Sequence, residues 1–273
     1  MDFSQLIQIL QRDYIKYAFI VGITMALSLA ILGVSLVLKK HSMIGDGLSH
    51  VGFGAVAVAV CMGWAPLAFA IPVVIIASFV ILLLAEKSKV FGDSAIALFS
   101  TLALAIGYAA IELGNGVNFN VSSYLYGSLL GVSLTEVIIS IIIALVVIVV
   151  YVFLYHKIFS VTFDETFSKS TGLKTNLINV IISVLTSLTV VIGMKVMGAL
   201  LITSLIIFPT LSARQIFKTY RSVTIFASLS SVVAFIIGLL ASCVINNLPI
   251  GSSIVFINFI VFIICFIIGK IKK

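Results

Sequence analysis

Asp46 and His50 stand four residues apart in the stretch Gly45-Asp46-Gly47-Leu48-Ser49-His50, within a segment that carries almost no other charge. Read as helix, that spacing puts the two side chains on one face, one above the other. A carboxylate oxygen and a neutral imidazole nitrogen converging on one point are borderline-to-hard ligands, suited to Zn²⁺ or Mn²⁺ and poorly suited to an organic substrate. Two ligands cannot complete a tetrahedral shell. The rest must come from the same residues of a second copy, from water or from donors on other helices. The pair also admits a structural role, with Asp46 flanking a helix start at the interface and His50 a packed, hydrogen-bonded core histidine. Gly47, Ser49, Gly52, Gly54, Ala55, Ala57 and Ala59 surround the pair with small residues, so this helix can pack closely against neighbours or a symmetry mate.

A second group lies between Val161 and Lys174. Thr162 is placed to cap a helix whose first turn holds Asp164 and Glu165, and Gly172 to end it. Phe163 and Phe167 then share a face suited to docking on a partner, although a solvated connection between helices accounts for the same residues. Further on, Pro209 removes a backbone donor and kinks its span, with Thr203, Ser204, Thr210 and Ser212 at hand to satisfy the freed groups. Glu112 and Glu136 read as solvated charges at span ends. Cys61, Cys243 and Cys265 lie far apart in apolar segments and read as small packed hydrophobes. His41, His50 and His156 form no H-E-x-x-H cluster, which argues against an intramembrane metalloprotease. The sequence contains no G-x-x-x-x-G-K-[ST] phosphate-binding loop, so ATP hydrolysis must come from another chain.

The elements that hold these residues are membrane spans. The 273 residues are 62% hydrophobic and 9% charged, whereas about a quarter of a soluble domain is charged. This composition predicts an all-α polytopic integral membrane protein forming a single transmembrane domain over 1–273, with eight or nine transmembrane helices plus a short re-entrant segment. Met1 to Lys16 reads as an interfacial amphipathic helix, without the pattern of a cleaved signal peptide. Spans are expected at about 17–38, 43–62, 67–85, 94–113, 134–155, 177–193, 196–217, 223–245 and 250–268. Ser123 to Gly131 is too short to cross and reads as a re-entrant half-helix. His156 to Asn176 is the one long polar connection. An odd number of spans places thirteen of the sixteen Lys and Arg on one side. The net charge of +7 is therefore a topology signal rather than a nucleic-acid footprint, with the N-terminus outside, the C-terminus cytoplasmic and 156–176 facing the cytoplasm.

Taken together, Gly45 to His50, the run Ser123-Tyr124-Leu125-Tyr126-Gly127, the segment from Phe163-Asp164-Glu165 to Gly172 and the stretch from Met194-Lys195 to Pro209 resemble, in this order, the membrane permease of the ABC importers for zinc and manganese. The resemblance covers roughly Leu36 to Phe256. It implies a bacterial cytoplasmic-membrane permease that works as a homodimer with cytoplasmic ATPase subunits and an extracytoplasmic metal-binding protein. It places Asp46 and His50 in the metal path. It makes 156–176 the coupling segment, with Phe163, Asp164, Glu165, Phe167 and Gly172 at the ATPase. The transported ion is Zn²⁺ or Mn²⁺, with no prosthetic cofactor, and the form of the motifs leans to the zinc branch. A carrier driven by an ion gradient, with Asp46 and His50 relaying protons, is the alternative.

Overall fold

Apolar runs of this length satisfy their backbone groups in a bilayer only by closing hydrogen bonds within each segment, so even the Ile- and Val-dense stretches become helices. The computed structural model describes residues 12–87, 92–114, 127, 131–245 and 248–271. The helices are α1 (Asp13–Leu38), α2 (Ile44–Cys61), α3 (Pro66–Lys87), α4 (Gly92–Leu113), α5 (Leu134–Phe153), α6 (Tyr155–Phe163), α7 (Glu165–Ser170), α8 (Thr175–Met197), α9 (Ala199–Ile216), α10 (Tyr220–Val244) and α11 (Ile250–Ile271). Among the described residues, all but the short α6 and α7 are long and apolar enough to cross a membrane, giving nine candidate spans.

Burial sorts these helices into a centre and a rim. The spanning windows of α1, α2 and α8 are 78%, 72% and 67% buried, against 17% for α4 and 22% for α11. α4 nonetheless packs closely on α2, because Gly54 brings that helix onto the Ala103 backbone, where a Cβ would collide with the Ala103 carbonyl oxygen. Small residues of this kind let helix backbones approach and gain dispersion contacts that lipid cannot supply. Hydroxyls bind between helices, Ser231 Oγ of α10 donating to the Ala26 carbonyl of α1 at 3.0 Å and Ser253 Oγ of α11 to that of Gly238 of α10 at 2.8 Å.

Several expectations shift in the structure. Asp13 to Lys16 form the first turn of α1 instead of ending a separate interfacial helix, and 1–11 lie outside the described residues. So does the expected re-entrant segment 123–131, apart from Gly127 and Gly131. The break between α8 and α9 falls at Gly198, not between 193 and 196, because Gly198 adopts φ 85°, a conformation that costs a residue with a Cβ dearly. Lys195 therefore belongs to the last turn of α8. α9 runs on through Pro209. The four nearby hydroxyls donate to the carbonyls of Leu200, Leu201, Ile206 and Phe208, and not to that of Leu205, which the proline leaves without its helical donor.

Candidate functional site

Asp46 lies in the first turn of α2 and His50 one turn later, so the two side chains do share a face. Asp46 Oδ2 and His50 Nε2 stand 3.6 Å apart, too far for a hydrogen bond and close enough to grip one ion. The side chains are 36% and 19% exposed. His50 Nδ1 is buried without a hydrogen-bond partner. Ser49 is committed to its own helix, its Oγ donating to the Gly45 carbonyl at 2.7 Å.

The glycines around the pair explain how α2 is held. A Cβ on Gly45 would meet Ile206 of α9, and one on Gly52 would meet Met194 of α8; Gly47 faces Ile96 and Gly54 faces Ala103, both of α4. α8 and α9 thus close on one side of α2 and α4 on the other, leaving Asp46 and His50 on the strip between. Among the described residues, no group of three or more His, Cys, Asp and Glu side chains is gathered to hold a metal. Among the described residues, the pair itself contributes two such donors.

The segment after α5 folds into the helices α6 and α7, joined at Asp164. The expected cap, Thr162, is inside α6 and turns its Oγ1 back onto the Ile158 carbonyl at 2.6 Å. Asp164 is the cap instead, because its extended backbone (φ −147°, ψ 98°) lets Oδ1 accept from the Phe167 N–H at 2.8 Å. Gly172, at φ 82°, ends α7, with its N–H donating to the Lys169 carbonyl and that of Leu173 to the Ser168 carbonyl. Phe163 and Phe167 are 61% and 60% exposed although they belong to different helices.

Glu165 points inward, away from that exposed aromatic surface. Lys39 Nζ lies 3.4 Å from its Oε2, Asn179 Nδ2 donates to Oε1 at 3.3 Å, and Lys169 pairs with Oε1 at 2.9 Å. Burial alone pushes the Glu165 carboxyl up, but the Lys169 hydrogen bond, the charges of Lys39 and Lys169 and the Asn179 amide outweigh it and hold the group below its ordinary 4.5. Beside this network, Lys39, Lys40, His41, Thr162, Phe163, Glu165 and Asn179 line a cavity of about 300 Å³. Burial and the neighbouring Lys39 hold His41 below its ordinary 6.5, against the opposing charges of Asp93 and Glu165.

The sequence reading missed this cluster. Lys39 counted there only as a topology charge, and Asn179 and His41 were assigned no role. Glu136 also departs from expectation: it closes a capping box with Ser133 and pairs with Lys195 at 2.6 Å, so it is not simply solvated. Glu112 is exposed as expected. Cys61, Cys243 and Cys265 are free thiols.

The high-affinity zinc uptake system membrane protein ZnuB of Haemophilus influenzae is 27% identical over 247 residues, covering 90% of this chain and 94% of that one. The manganese transport system membrane protein MntC of Halalkalibacterium halodurans is 26% identical over 259 residues, covering 95% and 88%. The solved structure of PsaBC from Streptococcus pneumoniae in complex with a Fab shares the fold, with a TM-score of 0.85 at 24% identity over 97% of this chain and 95% of that one. The model of the ABC 3 transport family matches residues 11–269, from before the first turn of α1 into the last turn of α11, and this chain therefore belongs to that family as a membrane permease subunit, not itself an enzyme, for metal transport.

Proposed function

We propose that the chain imports a divalent metal ion, zinc foremost and manganese next, as one half of a homodimeric permease. Cytoplasmic ATPase subunits dock at α6 and α7, and an extracytoplasmic metal-binding protein delivers the ion. The reading rests above all on the Asp46–His50 pair. It offers one oxygen and one nitrogen donor at 3.6 Å on a single face, and a second copy would bring the same two and complete a four-ligand shell. Zinc is favoured because it accepts such a mixed N/O set in tetrahedral geometry, and the family resemblance leans the same way.

Alternating access follows from this placement. Closure of the ATPase pair pushes the paired α7 helices, and the α2 faces switch the side to which they open. The N-terminus is outside and the C-terminus cytoplasmic, which puts Lys39, Lys40 and α7 on the ATPase side. Membership of an ABC family removes the support for a carrier driven by an ion gradient. The ion would be held by the Asp46 carboxylate oxygen and a His50 imidazole nitrogen.

The test is ATP hydrolysis by the chain reconstituted with its ATPase and binding protein, loaded with Zn²⁺ or Mn²⁺, for wild type and His50→Ala. Stimulation by Zn²⁺ that is lost in the variant is the expected result. Equal stimulation in the variant removes His50 from the path. Stimulation by Mn²⁺ alone reassigns the ion.

A further inference from the structure

The Asp46–His50 pair and the coupling helix lie on different elements, and Lys39 both contacts α7 and precedes α2 in the chain. Lys39 is the C-cap of α1 and opens the turn that leads into α2, seven residues before Asp46. Its ammonium donates to Asn179 Oδ1 of α8 at 2.6 Å and lies 3.4 Å from Glu165 Oε2 of α7. Asn179 Nδ2 closes the triangle onto Glu165 Oε1 at 3.3 Å. The Lys39 and Glu165 side chains are only 15% and 26% exposed, so the contact is screened far less than a surface pair.

The turn after Lys39 is built to pass movement on. Lys40 holds φ 64°, an unusual conformation for a residue with a side chain. The His41 N–H donates back to the Leu36 carbonyl at 2.9 Å, and the Ile44 N–H to the His41 carbonyl at 3.2 Å. A chain tied down at both ends of so short a turn leaves little slack between α1 and α2. A second contact holds the same helix end: Phe159 and Phe163 of α6 pack against the Tyr220 ring at 5.3 and 6.0 Å, and the Tyr220 hydroxyl bonds Ser35 Oγ at 2.8 Å, one turn before Lys39. The α6–α7 unit therefore holds the end of α1 directly through Glu165 and indirectly through Tyr220 of α10.

We propose that Lys39, held by Glu165 and Asn179, is the positioning residue that transmits movement of the coupling helix to the α2 face bearing Asp46 and His50. The inference rests on the transport reading above and adds the route by which α7 acts. Displacing α7 carries the Glu165 carboxylate, which drags or releases Lys39. The start of α2 then shifts relative to the α8 and α9 side on which Gly45 and Gly52 are packed.

The test uses the assembled complex of this chain with its ATPase, prepared as wild type, Lys39→Met, Lys39→Arg and Asn179→Leu. Hydrolysis is measured without binding protein and with Zn²⁺- or Mn²⁺-loaded binding protein. Lys39→Met and Asn179→Leu should assemble and keep basal hydrolysis, yet lose about tenfold of the stimulation, a size typical of coupling between separate sites. Lys39→Arg, which keeps the charge, should retain most of it. Should one of the two disruptive variants fail to assemble, the other carries the test. Full stimulation in the assembled variants overturns the proposal, because a static staple would affect yield or thermal stability alone. Parallel loss of basal and stimulated hydrolysis also overturns it. A wild-type complex that neither metal stimulates defeats the transport reading itself, and the relay with it.

Discussion

At the scale of single residues, the proposed metal path asks different things of Asp46 and His50. Asp46→Asn keeps the shape and one oxygen donor but removes the charge that favours a divalent cation in a poorly screened site. His50→Gln replaces the nitrogen donor with an amide. Each should cut metal uptake by at least about tenfold at normal expression, the scale expected when a metal's coordination is disturbed; uptake in membrane vesicles is the measurement, and unchanged uptake in both variants would remove the pair from the path. Charge also governs His41, in the turn before α2. Its native pKa lies below its ordinary 6.5 because of burial and Lys39. The unfolded chain therefore takes up a proton as pH falls through that value while the native turn lags behind, and stability must drop with acid. The melting temperature in detergent should fall between about pH 7.5 and about pH 5.5, and His41→Gln should flatten that dependence. That Asp46 and His50 share a helix face was legible from spacing alone, since four-residue separation fixes a common face. The Lys39, Glu165 and Asn179 cluster was not, because its members are 126 and 140 residues from Lys39 in sequence and meet only through the packing of α1, α7 and α8.

At the scale of the elements, hydropathy located the nine candidate spans found among the described residues, because a bilayer strongly favours helix for such apolar runs. Helix ends were harder, since they depend on one backbone angle or one side-chain bond. Asp164 and Thr162 illustrate this: either suits a cap by residue type, and only the extended backbone at Asp164 decides between them. Asp164→Ala should weaken α7 by about 1 kcal/mol. Thr162→Val should be nearly silent, because that hydroxyl binds a carbonyl already inside α6. Protease sensitivity of the segment in the two variants separates the cases, and equal sensitivity would contradict the cap. The contact between α2 and α4 is the other element with a sharp requirement. Gly54→Leu forces a side chain against the Ala103 carbonyl, which is backbone and cannot swing aside. It should lower the melting temperature and reduce yield, whereas the same change at Gly63, where a Cβ meets nothing within 4 Å, should act only through the strain of its φ 70°.

For the whole molecule the decisive quantity is the number of donors that one chain can bring. Membership of the family was legible from four separated motifs, and coordination chemistry supplies the test of whether two copies share one site. Two donors on one α2 strip do not make a closed zinc shell, and no third titratable ligand joins them among the described residues. If the shell is shared, the purified permease should bind one high-affinity Zn²⁺ for every two chains. A dimer pairing one wild-type chain with one Asp46→Ala, His50→Ala chain should then bind far more weakly, because the remaining donors fall to two. If each chain completes its own site with water, binding should approach one ion per chain, and the mixed dimer should keep half the capacity at unchanged affinity. Titration of metal into both dimers distinguishes the two directly. In a shared shell the completing ligands would come from the second copy, through the side of α2 that the glycine contacts with α4, α8 and α9 leave open.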